Sequence, residues 1–80
     1  MEDIKFMMNN QIRAIYSHYV SLKDRSIADL ETYLNRPVGV GGHNTITEEI
    51  ILSLENLEKA NSMISLLDKM IVSPNVNQQN

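Results

Sequence analysis

All three glycines of this chain and one of its two prolines fall within ten residues, Arg36-Pro37-Val38-Gly39-Val40-Gly41-Gly42-His43-Asn44-Thr45. Glycine and proline are the usual breakers of regular structure, so a chain that confines them to one stretch has one obvious place to reverse. Before it, from Asp3 to Asn35, there is neither residue. Apolar side chains there recur at helical spacing: Ile4, Met8, Ile12, Ile15, Tyr19, Leu22, then Ile27, Leu30 and Leu34. Met7, Tyr16, Val20 and Tyr33 widen the stripe, and Arg13, Lys23, Asp24, Asp29 and Glu31 fall mostly off it. The expectation is a helix over about 4–35, spanning roughly 48 Å. Asn9-Asn10 are good N-caps and would end a shorter N-terminal helix in the alternative reading. Ser26-x-x-Asp29 is a weak internal capping signal. The stripe shifts by about one position between Leu22 and Ile27, which reads as a bend in one continuous helix.

Pro37 disfavours helical dihedrals at Arg36, which stops the first helix near Asn35. Thr45-x-x-Glu48 matches a capping box, with Asn44 as the rival cap, so the turn covers 36–44 and the second helix about 45–72. Ile50, Leu57, Ile64 and Ile71 stand seven apart, and Ser53, Ala60 and Leu67 fill the intermediate heptad position. The small residues Ser53 and Ala60 allow a facing helix to come close. Asn61 and Asp68 lie at the edge of the stripe and restrict register if buried. Glu55 and Lys59 form a favourable pair one turn apart. Pro74 ends the helix, and the polar tail 74–80 reads as disordered.

The fold expected is all-α: a single helical hairpin domain over 1–73, its two long helices antiparallel. Two helices cover only one face of each other, and Phe6, Met7, Tyr16, Val20, Ile51 and Met63 lie beyond that face. The hairpin is therefore expected to pair with further copies into a homo-oligomeric helix bundle. The alternative is a monomer with its N-terminal segment folded back as a third helix. Eighty residues without cysteine have no disulfide or thiolate metal to add stability, which favours the oligomer. Seven basic against ten acidic residues give a net charge of −3, an unsuitable balance for binding a nucleic-acid polymer. No apolar run approaches the ~18–20 residues of a membrane span, and Met1-Glu2-Asp3 does not open a signal peptide, so a soluble intracellular protein is expected.

Among candidate sites the glycine turn is the sharpest. Backbone N–H groups in such a turn, leading into a helix, can cradle a phosphate or carboxylate. Gly39, Gly41 and Gly42 would supply the donors, Arg36 the charge, and His43 and Thr45 further hydrogen bonds. Tyr33 offers a stacking face to a base, and Arg25 a second phosphate contact. The spacing is neither a P-loop nor a dinucleotide fingerprint. The structural reading has Val38 and Val40 plug the end of a bundle. Glu48 and Glu49 would repel an anion unless they face away. His18 and His43 stand on different elements with no metal-ligand spacing, so no metal or cofactor is expected. No cysteine or nucleophilic serine elbow is present, so no enzyme is expected. Arg13, Lys23 and Arg25, with Tyr16 and Tyr19, form a second basic cluster that reads as a solvated face or, in an oligomer, as part of a nucleotide clamp.

The segment Tyr33-Leu34-Asn35-Arg36-Pro37-Val38-Gly39-Val40-Gly41, followed by Gly42-His43 and Ile46-Thr47-Glu48-Glu49-Ile50, resembles a group of short uncharacterised proteins of tailed bacteriophages. Their pattern is similar: a helix ending in Tyr-Leu-x-x-Pro-Val-Gly-x-Gly, a histidine, then an acidic amphipathic helix. Gly42 stands where that group often has an acidic residue. The resemblance covers about Arg25 to Leu67 and brings no established activity with it. It implies a phage origin and the cytoplasm of an infected bacterium. Two functions are consistent with that origin. One is a non-enzymatic accessory protein that binds an anionic, nucleotide-like ligand and sequesters a host immune signal. The other is an interaction protein whose helical surface binds a host or virion protein.

Overall fold

A computed structural model describes residues 5–35 and 43–72, with the side chains of 43–45 left aside. Two helices dominate it. Helix α1 spans Asn10–Leu34 and helix α2 spans His43–Met70. Two hydrogen bonds between side chains set their relation. The Tyr16 hydroxyl donates to Asp68 at 2.8 Å, and the Tyr33 hydroxyl donates to Glu49 at 3.5 Å. The start of α1 therefore lies beside the end of α2, and the end of α1 beside its start. The pair is an antiparallel hairpin, as expected, and its longer helix, of 28 residues, spans about 42 Å.

The ends of the helices depart from expectation. Helix α1 begins at Asn10 rather than near residue 4. Asn9 is its N-cap, with an extended backbone (φ −146°, ψ −178°). Its side-chain oxygen accepts from the Ile12 N–H at 2.8 Å, and its carbonyl accepts from the Arg13 N–H at 2.8 Å. The side-chain bond takes up a donor that a helix start leaves without a partner, and the carbonyl bond is the first of the helix. Ahead of the cap, Phe6–Met7 (β1) pair in parallel with Ile71–Val72 (β2), Phe6 with Ile71 and Met7 with Val72. Helix α2 accordingly stops at Met70, two residues earlier than its apolar spacing suggests. The chain is thus mainly helical, not wholly so.

Lys5 completes this clasp. Its ammonium donates to the Lys69 carbonyl at 3.0 Å, in the last turn of α2, where carbonyls lack helical partners and the helix dipole favours a cation. At the other end of α1, the Asn35 N–H closes on the Glu31 carbonyl at 3.2 Å, and the Thr32 hydroxyl bonds back to Ala28 at 3.0 Å. Ser26 does not interrupt the helix. It is buried inside it.

The core is a thin seam. Among the described residues its buried apolar side chains are Leu30, Ala60 and Leu67, joined by the buried serines Ser26 and Ser53. On α2 the buried positions 53, 60 and 67 repeat every seven residues, the period at which a helix returns to the same side of a neighbour. The register set by the two tyrosine bonds brings Leu30 level with Ser53, and Ser26 level with Leu57, each within one residue. A large side chain then stands opposite a small one, which lets the helices approach. Outside the seam, Phe6, Met7, Ile15, Leu34, Ile51, Leu52, Leu54 and Leu66 are all exposed.

Candidate functional site

The glycine turn was the first candidate, and most of it lies outside the described residues: Arg36, Gly39, Gly41 and Gly42. Val38 and Val40 lie outside them too. His43 and Thr45 are described in their backbone only. That backbone corrects one expectation. Helix α2 starts at His43, so Thr45 falls within its first turn and Thr45-x-x-Glu48 does not act as its cap. No acidic residue lies in that first turn.

Two of the expected ligand contacts are described, and they do not meet. Tyr33 is half-buried near the end of α1, with its hydroxyl on Glu49. A carboxylate therefore stands beside the ring that would have stacked on a base. Arg25 is exposed eight residues earlier, roughly 12 Å away along the helix axis. The second basic cluster also divides. Arg25 and Lys23 are two positions apart, which on a helix directs them to nearly opposite sides. Arg13 is exposed and Lys23 half-buried, while Tyr16 is committed to Asp68. His18 is exposed, its ring edge-on to Tyr19 at 4.7 Å. Among the described residues no three His, Cys, Asp or Glu side chains come together as a metal site. None of the described helices is long and apolar enough to cross a membrane.

A different arrangement emerges from the Tyr16–Asp68 bond. It fixes one flank of the hairpin, because both residues sit on that flank. One turn inward on each helix are Val20 and Ile64. A further seven residues inward are Ile27 and Leu57, and seven more give Leu34 and Ile50. In every one of these pairs the residue numbers add to the same total as Tyr16 and Asp68, so each pair lies level across the hairpin. Leu30 and Leu54 obey the same rule. The flank is thus a ladder of three apolar rungs, with Leu54 beside them, level with the buried seam residue Leu30. Lys23 with Asn61 interrupts it, and Tyr16 with Asp68 closes it toward the clasp. Leu34 is 66% exposed and Leu54 51%. Val20, Ile27, Ile50, Leu57 and Ile64 are half-buried.

The closing rung has an electrostatic signature. The Tyr16 phenol is raised above its ordinary 10.0, chiefly by its hydrogen bond to Asp68, then by desolvation and by the carboxylate's charge. Each cause favours the neutral phenol that can donate to the carboxylate.

The apolar residues of the ladder were visible in the sequence, but their alignment into rungs was not. Alignment depends on the register between two helices, which no local spacing encodes. Compared with known protein families, with curated proteins and with solved structures, the chain matches none of them.

Proposed function

We propose that this is a non-enzymatic interaction protein that works as a homo-oligomeric helix bundle and presents its remaining apolar helix surface to a protein partner. One observation carries the reading: among the described residues three apolar side chains are buried while eight large ones are exposed. Isolated exposed leucines are ordinary, but a described chain that exposes more large apolar side chains than it buries has apolar surface left for association. The likeness of the Tyr33–Gly41 segment to tailed-phage proteins adds the context of an accessory factor that engages a host or virion component. Native mass spectrometry tests the assembly: masses at multiples of the 9.1 kDa chain are expected. A folded monomer at every concentration overturns the reading.

A nucleotide-like ligand at the glycine turn is the second reading. It is favoured by the start of α2 at His43, with an acid-free first turn in which Thr45 is not the cap. Glu49 beside Tyr33 weighs against it. In this reading host nucleotides add a discrete mass to the oligomer and Arg36→Ala abolishes the addition. Equal binding by that variant excludes Arg36 as the phosphate contact.

A further inference from the structure

We infer that the side of the hairpin opposite the ladder is where two copies of this chain meet, set antiparallel by four charged residues: Arg25 and Asp29 of α1, Glu55 and Lys59 of α2. The inference rests on the assembly reading above and names the surface and the orientation.

Helical spacing places the four together. Arg25 and Asp29 stand two residues to either side of Ile27, and Glu55 and Lys59 two residues to either side of Leu57. Two steps along a helix turn a side chain by about 200°, so all four lie away from the ladder rung that Ile27 and Leu57 form. Arg25 is level with Lys59, and Asp29 with Glu55, because each pair of residue numbers adds to the same total as Tyr16 and Asp68. A basic rung and an acidic rung therefore lie side by side, one helical turn apart, and all four residues are exposed. Arg25 with Asp29, and Glu55 with Lys59, are spaced to pair along their own helices. Among the described residues neither pair is closed, and none of the four is engaged in an ion pair.

That pattern selects its occupant. Two positive charges beside two negative ones are complementary to the same four turned end for end. A two-fold axis that lies in the interface and crosses both helices at the level of Ile27 and Leu57 makes this turn. It sets Arg25 on the partner's Asp29 and Lys59 on the partner's Glu55, and the reverse pairs form at the same time. The parallel arrangement, with the axis along the hairpin, sets Arg25 on the partner's Lys59 and Asp29 on the partner's Glu55, like charge on like. A partner of uniform charge, such as a nucleic acid, is attracted by one rung and repelled by the other.

The apolar residues of this side obey the same axis. Leu52, Lys59 and Met63 follow one another at spacings of seven and four, which keeps them on one side of α2. Leu52 and Met63 stand five and six residues from Leu57 in opposite directions, so the axis brings each beside the other of the partner. Leu52 is exposed and Met63 half-buried in the single chain. Exposed ion pairs are individually weak. The four charges accordingly fix direction and register, and Leu52 and Met63 supply apolar contact on both sides of them.

The test uses two variants of the full chain in sedimentation equilibrium. Arg25→Glu with Lys59→Glu makes both rungs acidic, and Asp29→Lys with Glu55→Lys makes both basic. Each alone should self-associate at least about tenfold more weakly than the parent, and an equimolar mixture should recover association to within a few-fold of it. Recovery also shows that both variants fold. Asp24→Lys with Glu31→Lys is the control: it carries the same net charge as the basic variant, at exposed positions off this side, and should not rescue the acidic one. A second measurement needs no variant. Raising the salt to about 1 M, where charges are screened within about 3 Å, should weaken association of the parent at least about fivefold. A mixture that does not recover, a control that rescues equally well, or an assembly indifferent to salt overturns the inference while leaving the assembly reading intact. A folded wild-type monomer at every concentration overturns both.

Discussion

The seam between the helices and the flank beside it use opposite materials. The seam buries Ser26, Ser53 and Ala60 with two leucines, and Ala60 is fully covered. The flank carries Val20, Ile27, Leu34, Ile50, Leu54, Leu57 and Ile64, and covers none of them completely. In a self-sufficient domain the larger side chains would occupy the centre. Here small residues bring the two backbones close and the large ones are set aside at the edge. The contrast shows that hydrophobic residue type alone does not locate the centre of a hairpin: the distance between the helices selects which row lies inside.

Substitutions can break or sharpen that contrast. Leu67 is the largest side chain of the seam on α2, and Leu67→Ala should cost about 2–4 kcal/mol in urea denaturation followed by circular dichroism. Ala60→Leu tests whether the seam is close-packed. Overpacking a fully covered position should cost about 1–3 kcal/mol, and a neutral result would mean the helices can separate freely. Asn9→Ala removes the cap of α1 and should lower stability by about 1 kcal/mol. Tyr16→Phe should have the smallest effect at neutral pH, since the hydrogen bond lies at an exposed edge. Its pH dependence is more informative. The phenol is raised in the folded state, so its contribution is fully present below pH 10 and is lost as the pH rises through the folded value. Thermal melts of the parent and Tyr16→Phe should therefore converge on the alkaline side.

Much of this architecture was legible in the sequence. The breaker-free runs located both helices, and the heptad Ser53, Ala60, Leu67 marked the buried row of α2. The row of larger residues, Ile50, Leu57, Ile64 and Ile71, drew equal notice and proved half-buried, because spacing shows that rows exist and not which one faces the partner helix. On α1 the apolar stripe missed Ser26, a polar residue chosen for its size, and included Ile15 and Leu34, which are exposed. The late start of α1 falls at Asn9-Asn10, which the sequence reading had offered only as the stop of an alternative short N-terminal helix. The pairing of Phe6–Met7 with Ile71–Val72 was not signalled, since two residues that pair across more than sixty others leave no local period to detect. Of the expected ligand contacts, Arg25 and Tyr33 were placed and found apart. A helical spacing puts two residues on one helix without bringing them to one spot.

The clasp at the open end also decides how the molecule would bear a load. Strands β1 and β2 run in the same direction, and the chain enters through one and leaves through the other. Tension applied before Lys5 and after Val72 would pull the two strands past each other lengthwise. Their bonds would be strained together, and only after they slipped could the helices peel apart one turn at a time from that end. Two residue pairs and one lysine thus stand mechanically in series ahead of the whole hairpin.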